Sequence, residues 1–391
     1  MRKTAALVFL LCARCLAQDD PTPLRERAAA LVAAEKYAEA EPLLGRALEL
    51  LEAELGAEDP ALAPVIHALG AVYRAEGRNA DAEKLYQRSL GIKTKAQGEW
   101  SAELIPDLKV LAGLYVALGR LPDAERQYLR VIAVREKAKG PDDLDLANDA
   151  VDLATFYIAA RRYAVAEPNL RRAVRTIERK LGPEDPSLVP VLDSLATALI
   201  GQKNYDPAEA PLRRAVSIQE RAYGPAHVNV APHLDRLAML FYLEKRYSDA
   251  VPLYQRSLAI WESSTEPDGG ELVTALDNLA VVYASQDKFT EAAPLYRRSL
   301  ALRERAVVLS LNNLALSLEG KGDNAAAAQQ YKLAISLAEK IPALPGKASV
   351  GENDLLAKTL ANYATLLRKL KRNVEAVRME ARAKALVKGE Q

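Results

Sequence analysis

Gly56, Gly98, Gly140, Gly182 and Gly224 stand 42 residues apart. On the same step lie Ala40, Ala82, Ala124, Ala166, Ala208, Ala250 and Ala292, and Arg46, Arg88, Arg130, Arg172, Arg214, Arg256 and Arg298. Two runs of seven matches at one spacing do not arise by chance. They mark an internal repeat, which restricts the chain to arrays in which one small unit stacks on the next. Each unit contacts only its neighbours, so the core must run along the array.

The segment Val273 to Ala306 reads VTALDNLAVVYASQDKFTEAAPLYRRSLALRERA. Leu276, Leu279, Ala280 and Tyr283 recur at helical spacing and mark one buried stripe. SQDKF interrupts it, and Ala292, Tyr296 and Ser299 begin a second stripe on a second helix. The alanine column lets the two helices approach closely. Tyr283 and Tyr296 are expected to fill the space between units. Abundant Ala and Leu with only 6% aromatic residues favour helix throughout.

The phrases GAEDP (56–60) and GPEDP (182–186) then fall between units. Gly182 is expected to end a second helix in a left-handed conformation, Asp185 to cap the next helix, and Pro186 to sit in its first turn. The loop reads as punctuation, not as a phosphate cradle or a metal loop. One irregularity interrupts the period. Ala292 to Ala327 spans 35 residues and Ala327 to Ala376 spans 49, together two normal steps. Seven residues are missing after Arg305, and seven are extra around KIPALPGKASVGEND. The short junction holds neither Gly nor Pro. A tight turn at Arg305–Val307 is the expected solution, with one fused long helix as the alternative.

The chain opens MRKTAALVFLLCARCLAQDD. Arg2 and Lys3 precede an apolar run, Thr4 to Ala13, too short to span a bilayer. Cys15 and Ala17 supply small residues before a cut ahead of Gln18, as in a secretory signal peptide. A buried N-terminal helix and a lipoprotein site at Cys15 are the alternatives. Arg14 speaks against the second. Export to the periplasm or the extracellular space follows as the expectation. Both cysteines, Cys12 and Cys15, lie in this segment, so the remainder has no thiol and can form no disulfide. The 53 basic and 52 acidic residues nearly cancel; losing Arg2, Lys3 and Arg14 with residues 1–17 leaves 50 against 52. That balance gives no electrostatic footprint for nucleic acid or an anionic membrane, and no other segment is apolar enough to span one. The expected organisation is a signal peptide over 1–17, a short tail over 18–22, the repeat array over 23–387 with irregular spacing at 305–351, and a tail over 388–391.

The pattern Leu276, Leu279, Ala280, Tyr283, Ala292, Tyr296 resembles the tetratricopeptide repeat. The 42-residue unit, with openings such as YAEAEPLLGRAL and YAVAEPNLRRAV, looks like the kinesin-light-chain variety. The likeness covers about residues 23 to 387. It implies an all-α, right-handed superhelical solenoid of about nine helix–turn–helix repeats, some eighteen helices, with the first helix of each unit lining the concave side. Arg27 in the first unit and Glu380 in the ninth depart from the pattern, as terminal capping units require. Such arrays serve many unrelated partners, so the likeness specifies fold more than function.

Catalytic signals are absent from the sequence. His67, His227 and His233 lack the neighbours of a metal site. No nucleophile elbow, zinc-protease, Walker or dinucleotide-binding pattern occurs. Carboxylate pairs such as Asp142–Asp143 sit in inter-repeat loops, where helix capping explains them. No catalytic, cofactor or metal residue is assigned, and the chain is expected not to be an enzyme. The arginine column could form an anion ladder, but salt links with the columns of glutamate explain it better.

The better candidate is the exposed face of the first helices. One position past the Leu276 column stand His67, Lys109, Val151, Asp193, Asp235, Asp277 and Asn312; one further stand Asp152, Ser194, Arg236, Asn278, Asn313 and Asn362. Asp and Asn weaken a helix interior, so their recurrence needs a reason. Capping or bridging of neighbours is one. Resemblance to kinesin light chain implies another, with Asn278, Asn312 and Asn313 holding the backbone of a bound peptide. Ile158, Ile200 and Tyr242, with Val116, add apolar character beside this row, unless neighbouring helices bury them. A groove of this kind suits a protein or peptide with apolar anchors and some basic residues. The alternative is a structural element of a cell-envelope or secretion assembly, docking through its convex face or termini. Asp193, Asp235 and Asp277 are expected to lie off the core stripe.

Overall fold

The computed structural model describes residues 20–264, 269–341 and 352–388. The expected signal peptide, its Gln18 boundary and most of the extra segment before residue 352 lie outside the described residues. Within them are seventeen α-helices, three short 3-10 turns and no strand. The chain divides into two compact units at Lys203.

The first unit holds α1 (Pro21–Ala33), α2 (Tyr37–Leu55), α3 (Ala63–Ala75), α4 (Asn79–Gln97), α5 (Ile105–Ala117), α6 (Leu121–Lys139), α7 (Leu144–Ala159), α8 (Tyr163–Leu181) and α9 (Leu188–Gly201). The second holds α10 (Asp206–Tyr223), α11 (Ala231–Leu243), α12 (Tyr247–Glu262), α13 (Gly270–Ala284), α14 (Phe289–Gly320), α15 (Asn324–Ala338), α16 (Glu352–Lys369) and α17 (Asn373–Lys388). Within each unit, helices consecutive in sequence pack on one another. The alanine column faces inward throughout: Ala40, Ala82, Ala124, Ala166, Ala208, Ala250, Ala292, Ala327 and Ala376 are all buried.

Most first helices close the same way. The N–H of Arg78 bonds to the carbonyl of Tyr73 at 2.8 Å, Arg120 to Tyr115 at 2.8 Å, Arg162 to Tyr157 at 2.7 Å and Arg246 to Phe241 at 2.8 Å. This six-residue closure needs a left-handed residue one place earlier. Glycine supplies it at Gly77, Gly119 and Gly322, but Glu35, Arg161, Lys203, Lys245, Asp287 and Lys371 hold it at φ of 57–60°. The arginine after the turn lies over the same aromatic ring, 3.7 Å from the Tyr73 centroid and 4.2–4.8 Å from those of Phe241, Tyr115 and Tyr157. Its guanidinium then reaches the glutamate of the preceding pair: Arg78 to Glu41 at 2.8 Å, Arg120 to Glu83 at 2.7 Å, Arg162 to Glu125 at 2.6 Å and Arg246 to Glu209 at 2.8 Å. Each such pair is worth little alone.

The loop glycines differ in detail from the expectation. Gly182 ends α8 at φ 102° and ψ 162°, positive in φ but extended in ψ, a region open essentially to glycine alone. Asp185 accepts the Ser187 N–H at 2.9 Å ahead of α9. Asp59, Ser101, Asp143 and His227 serve at the corresponding place elsewhere. The arginine column forms inter-repeat salt links rather than an open ladder. Arg88 reaches Glu52 at 2.6 Å, Arg172 reaches Glu136 at 2.8 Å and Arg256 reaches Glu220 at 2.5 Å, while Arg298 pairs with Glu262.

The tight turn expected at Arg305–Val307 is not formed. α14 runs unbroken for 32 residues and serves as the second helix of one repeat and the first of the next. Without Gly or Pro nothing stops the helix, and most of LALRERAVVLSL is Leu, Ala, Arg and Glu, good helix formers. The fusion accounts for seventeen helices where nine separate pairs would give eighteen. It also overturns the expected role of Tyr296, which is 42% exposed instead of filling an inter-unit space. Tyr283 is only half-buried.

Candidate protein-binding surface

Where α3, α4 and α5 meet, Asp107 is fully buried. It accepts hydrogen bonds from His67 Nδ1 at 2.5 Å, Ser89 Oγ at 3.1 Å and Lys93 Nζ at 2.6 Å. Burial alone would raise its pKa, but His67 and Lys93 outweigh it and hold the carboxyl below the usual range. One repeat later the same nook contains Asp149, also buried, with Lys109 Nζ at 2.6 Å and Arg135 Nε at 2.7 Å. Lys109 also reaches Asp152 at 2.7 Å. Burial works against the Lys109 charge, yet the two aspartates keep its pKa above the usual lysine value. Asp107 and Asp149 were missed in the sequence. The signal was present: they interrupt a column that reads Val65, Val191, His233 and Ala275 elsewhere.

In the second unit the equivalent nook, between α11, α12 and α13, is composed differently. Asp235 stands where His67 stands, Ser257 matches Ser89, Trp261 replaces Lys93 and Ala275 replaces Asp107. The nook therefore carries one carboxylate and no opposing charge from those positions. Asp235 Oδ1 is buried and has no hydrogen-bond partner. Burial pushes the carboxyl up to about 6, and hydrogen bonds from Ser257 and Trp261 offset this only in part. Beside it opens a cavity of about 240 Å³ lined by Arg236, Met239, Tyr242, Tyr254, Asn278 and Val281. Burial, reinforced by the Asp235 charge, also raises the Tyr254 pKa.

The structure thus brings Asp235, Asn278 and Tyr242 of the expected row to one cavity. A second cavity, of about 570 Å³, lies in the first unit against α5, α6 and α7. Lys109 and Asp152 edge it, and Val116, Leu121, Tyr128 and Phe156 line it. Ile158 and Ile200 are partly buried and line neither. The expectation that the three aspartates stand clear of the core is corrected. Asp193 is 9% exposed, Asp235 is half-buried, and Asp277 is ion-paired with Arg303. Asn312 is buried and accepts from Asn362 Nδ2 at 3.0 Å, so those two amides engage each other. Asn313 is exposed. Tyr128, Phe156 and Tyr254 belong to core columns, so nothing in their pattern marks them as bordering open space.

Two of the three histidines make structural contacts. His67 serves Asp107 and lies edge-on to Tyr86, and His227 accepts the Asn229 N–H and stacks on Tyr223. Among the described residues no group of three or more His, Cys, Asp or Glu side chains could hold a metal ion, and no helix is long and apolar enough to cross a membrane.

Models of the tetratricopeptide repeat match residues 19–95, 106–175, 148–221, 194–263, 228–305 and 309–341. The chain belongs to the tetratricopeptide repeat family. Among curated proteins none matches its sequence. Among solved structures, the apo form of RapI is similar over 94% of this chain and 98% of its own, at 15% identity and a TM-score of 0.54. The "kinesin light chain nearly identical TPR-like repeats" of Podosopora anserina share 23% identity over 52% of this chain and 98% of their own, with a TM-score of 0.47. BtubC (BKLC) of P. vanneervenii shares 20% identity over 72% and 91%, with a TM-score of 0.36. These likenesses concern the fold alone. Tetratricopeptide repeat proteins are generally non-catalytic scaffolds for protein–protein interaction.

Proposed function

We propose that this chain is an exported, non-catalytic scaffold that binds a peptide or protein segment on its first-helix face. A lysine or arginine of the partner enters the Asp235 cavity, and apolar side chains fill the cavity edged by Asp152. The observation that carries the reading is the incomplete nook. Two equivalent nooks supply a buried aspartate with its own cations, whereas Asp235 Oδ1 has no partner. A buried carboxylate oxygen without a donor is costly, and a guanidinium or ammonium from outside would complete it. Met239, Val281 and the Tyr242 and Tyr254 rings suit the aliphatic stem of such a side chain. Asn278 at the same cavity can bond the partner's backbone.

The test is selection of displayed random peptides on the full chain, with Asp235→Asn as the counter-target. Enriched peptides are expected to carry Lys or Arg beside apolar residues and to lose about tenfold or more in affinity on the variant, as for loss of a desolvated charge pair. Enrichment indifferent to Asp235 would overturn the cavity and favour docking through the convex face. Export is tested separately by the intact mass of the protein from its source, expected to begin at Gln18 without lipid. A retained, acylated Cys15 would refute that boundary.

A further inference from the structure

The fusion within α14 leaves two faces uncovered. At the preceding junction, Tyr254 and Leu258 of α12 are 4% and 8% exposed, and Leu272 and Leu279 of α13 are 2% and 4% exposed. The corresponding residues at the fused junction are Tyr296, Leu300, Val307 and Leu314, exposed by 42%, 55%, 49% and 48%. The cause is geometric. α12 ends before α13 begins, so the two lie side by side and cover each other. In α14 the two segments are collinear, and the second cannot fold back on the first. A cavity of about 300 Å³ bounded by Ala306, Val307, Ser310, Leu311 and Leu314 marks the vacancy.

We propose that a second copy of the chain fills it, forming a two-fold dimer. The Tyr296–Leu300 face of each α14 packs on the Val307–Leu314 face of the other. The two faces match because they are the two halves of the interface that stacks neighbouring repeats elsewhere in this chain. Leu300, Val307 and Leu314 are seven residues apart, a spacing that keeps one stripe facing a partner helix over about 21 Å. The stripe is also symmetric about Val307. An antiparallel pair with its axis there sets Leu300 opposite Leu314 and Tyr296 opposite Leu318, as an isologous interface requires. Glu304 then faces Ser310 and Arg297 faces Ser317, so no like charges meet. The four half-exposed side chains of each copy would bury roughly 700 Å² in all, and the flanking backbone and polar groups bring the contact towards the ~1,200 Å² of a stable interface.

The test uses the full chain with Cys12→Ser and Cys15→Ser. Sedimentation is expected to show a dimer at micromolar concentration. Val307→Glu should raise the dimer dissociation constant at least a hundredfold with circular dichroism unchanged, since residue 307 is exposed in the monomer. Val307→Cys should form an intermolecular disulfide rapidly, and Leu333→Cys, on α15 away from the axis, should not. Inserting the seven-residue segment Leu181–Ser187 between Ala306 and Val307 restores the missing loop and should yield a monomer by letting the repeats stack within one chain. A monomeric parent at all concentrations overturns the proposal. So does a dimer indifferent to Val307→Glu, or a Val307→Cys chain no quicker to cross-link than Leu333→Cys.

Discussion

Asp235→Asn is expected to make the second unit more stable at neutral pH while weakening its capacity to bind. Burial pushes the Asp235 carboxyl up to about 6 from its usual 3.8. Between those values the folded chain holds a proton that the unfolded chain has released, so stability falls as pH rises through the window. The shift corresponds to about 3 kcal/mol, fully expressed above pH 6 and absent below the unfolded value. Asparagine removes the charge but brings an amide that also wants partners, so the net gain near pH 7.5 should be about 1–2 kcal/mol.

Repeat arrays do not unfold as one unit, so the probe must be local. Trp261 lies beside Asp235, and the only other tryptophan is Trp100. Urea titration followed by Trp261 fluorescence in a Trp100→Phe background reports the right region. The advantage of the variant over wild type should narrow by about 2 kcal/mol between about pH 7.5 and 4.5. A variant less stable than wild type near pH 7.5, or a difference that ignores pH, would refute the reasoning. Either would mean that the carboxylate is already paired in the free protein.

Asp107→Ala should cost about 3–5 kcal/mol at neutral pH, because it strands Lys93 and His67 around a buried gap; wild type should lose this contribution only as pH falls below the usual carboxylate range, opposite in sign to Asp235, and acid titration by circular dichroism checks both. Gly182→Ala should destabilise by about 1–3 kcal/mol, measured by hydrogen exchange in α8 and α9; a Cβ there meets open space, so backbone strain alone sets the cost and a neutral result would contradict the φ of 102°. Lys245→Gly should stabilise by about 0.5 kcal/mol in thermal melts, since release of left-handed strain exceeds the entropy added to the unfolded chain. Tyr115→Ala should cost about 3–5 kcal/mol and Tyr283→Ala roughly half that, because the first ring is buried and the second is half-exposed; equal costs by hydrogen exchange would show that exposure does not govern this column.

The fold was legible because stacking repeats must present the same residue at the same contact each time. Ala40 and its equivalents state where two helices touch, and Gly182 and its equivalents state where one helix ends. Nothing in such a column says what lies across it. Leu300 and Leu314 stand in columns that are largely buried elsewhere, and no residue in those columns marks their exposure, which comes from the helix continuing through Val307. Only the composition of that junction, good helix formers without Gly or Pro, pointed to fusion, and helix propensity is a weak prior against a strict period.

The binding candidate was half legible for a related reason. Asp235 was found as one of a recurring row, with Asp193 and Asp277, but the row is not a functional unit. What a carboxylate does in this array depends on residues some 22 and 26 positions further on, which belong to the helix packed against it. For Asp277 those positions hold Ser299 and Arg303, and Arg303 pairs with the acid. For Asp235 they hold Ser257 and Trp261, which can donate hydrogen bonds but carry no charge. His67 and Lys109 occupy the same place with an aspartate 40 residues later to meet them; Asp235 has Ala275 there. Three changes from the His67 nook, Asp235 for His67, Trp261 for Lys93 and Ala275 for Asp107, therefore separate an internally paired contact from a carboxylate beside an open cavity. Comparing whole nooks from repeat to repeat, rather than single columns, isolates Asp235 from its neighbours. The same comparison identifies Trp261→Lys as the change that should close the site from within, matching Lys93 and lowering the Asp235 pKa while abolishing its preference for a basic partner.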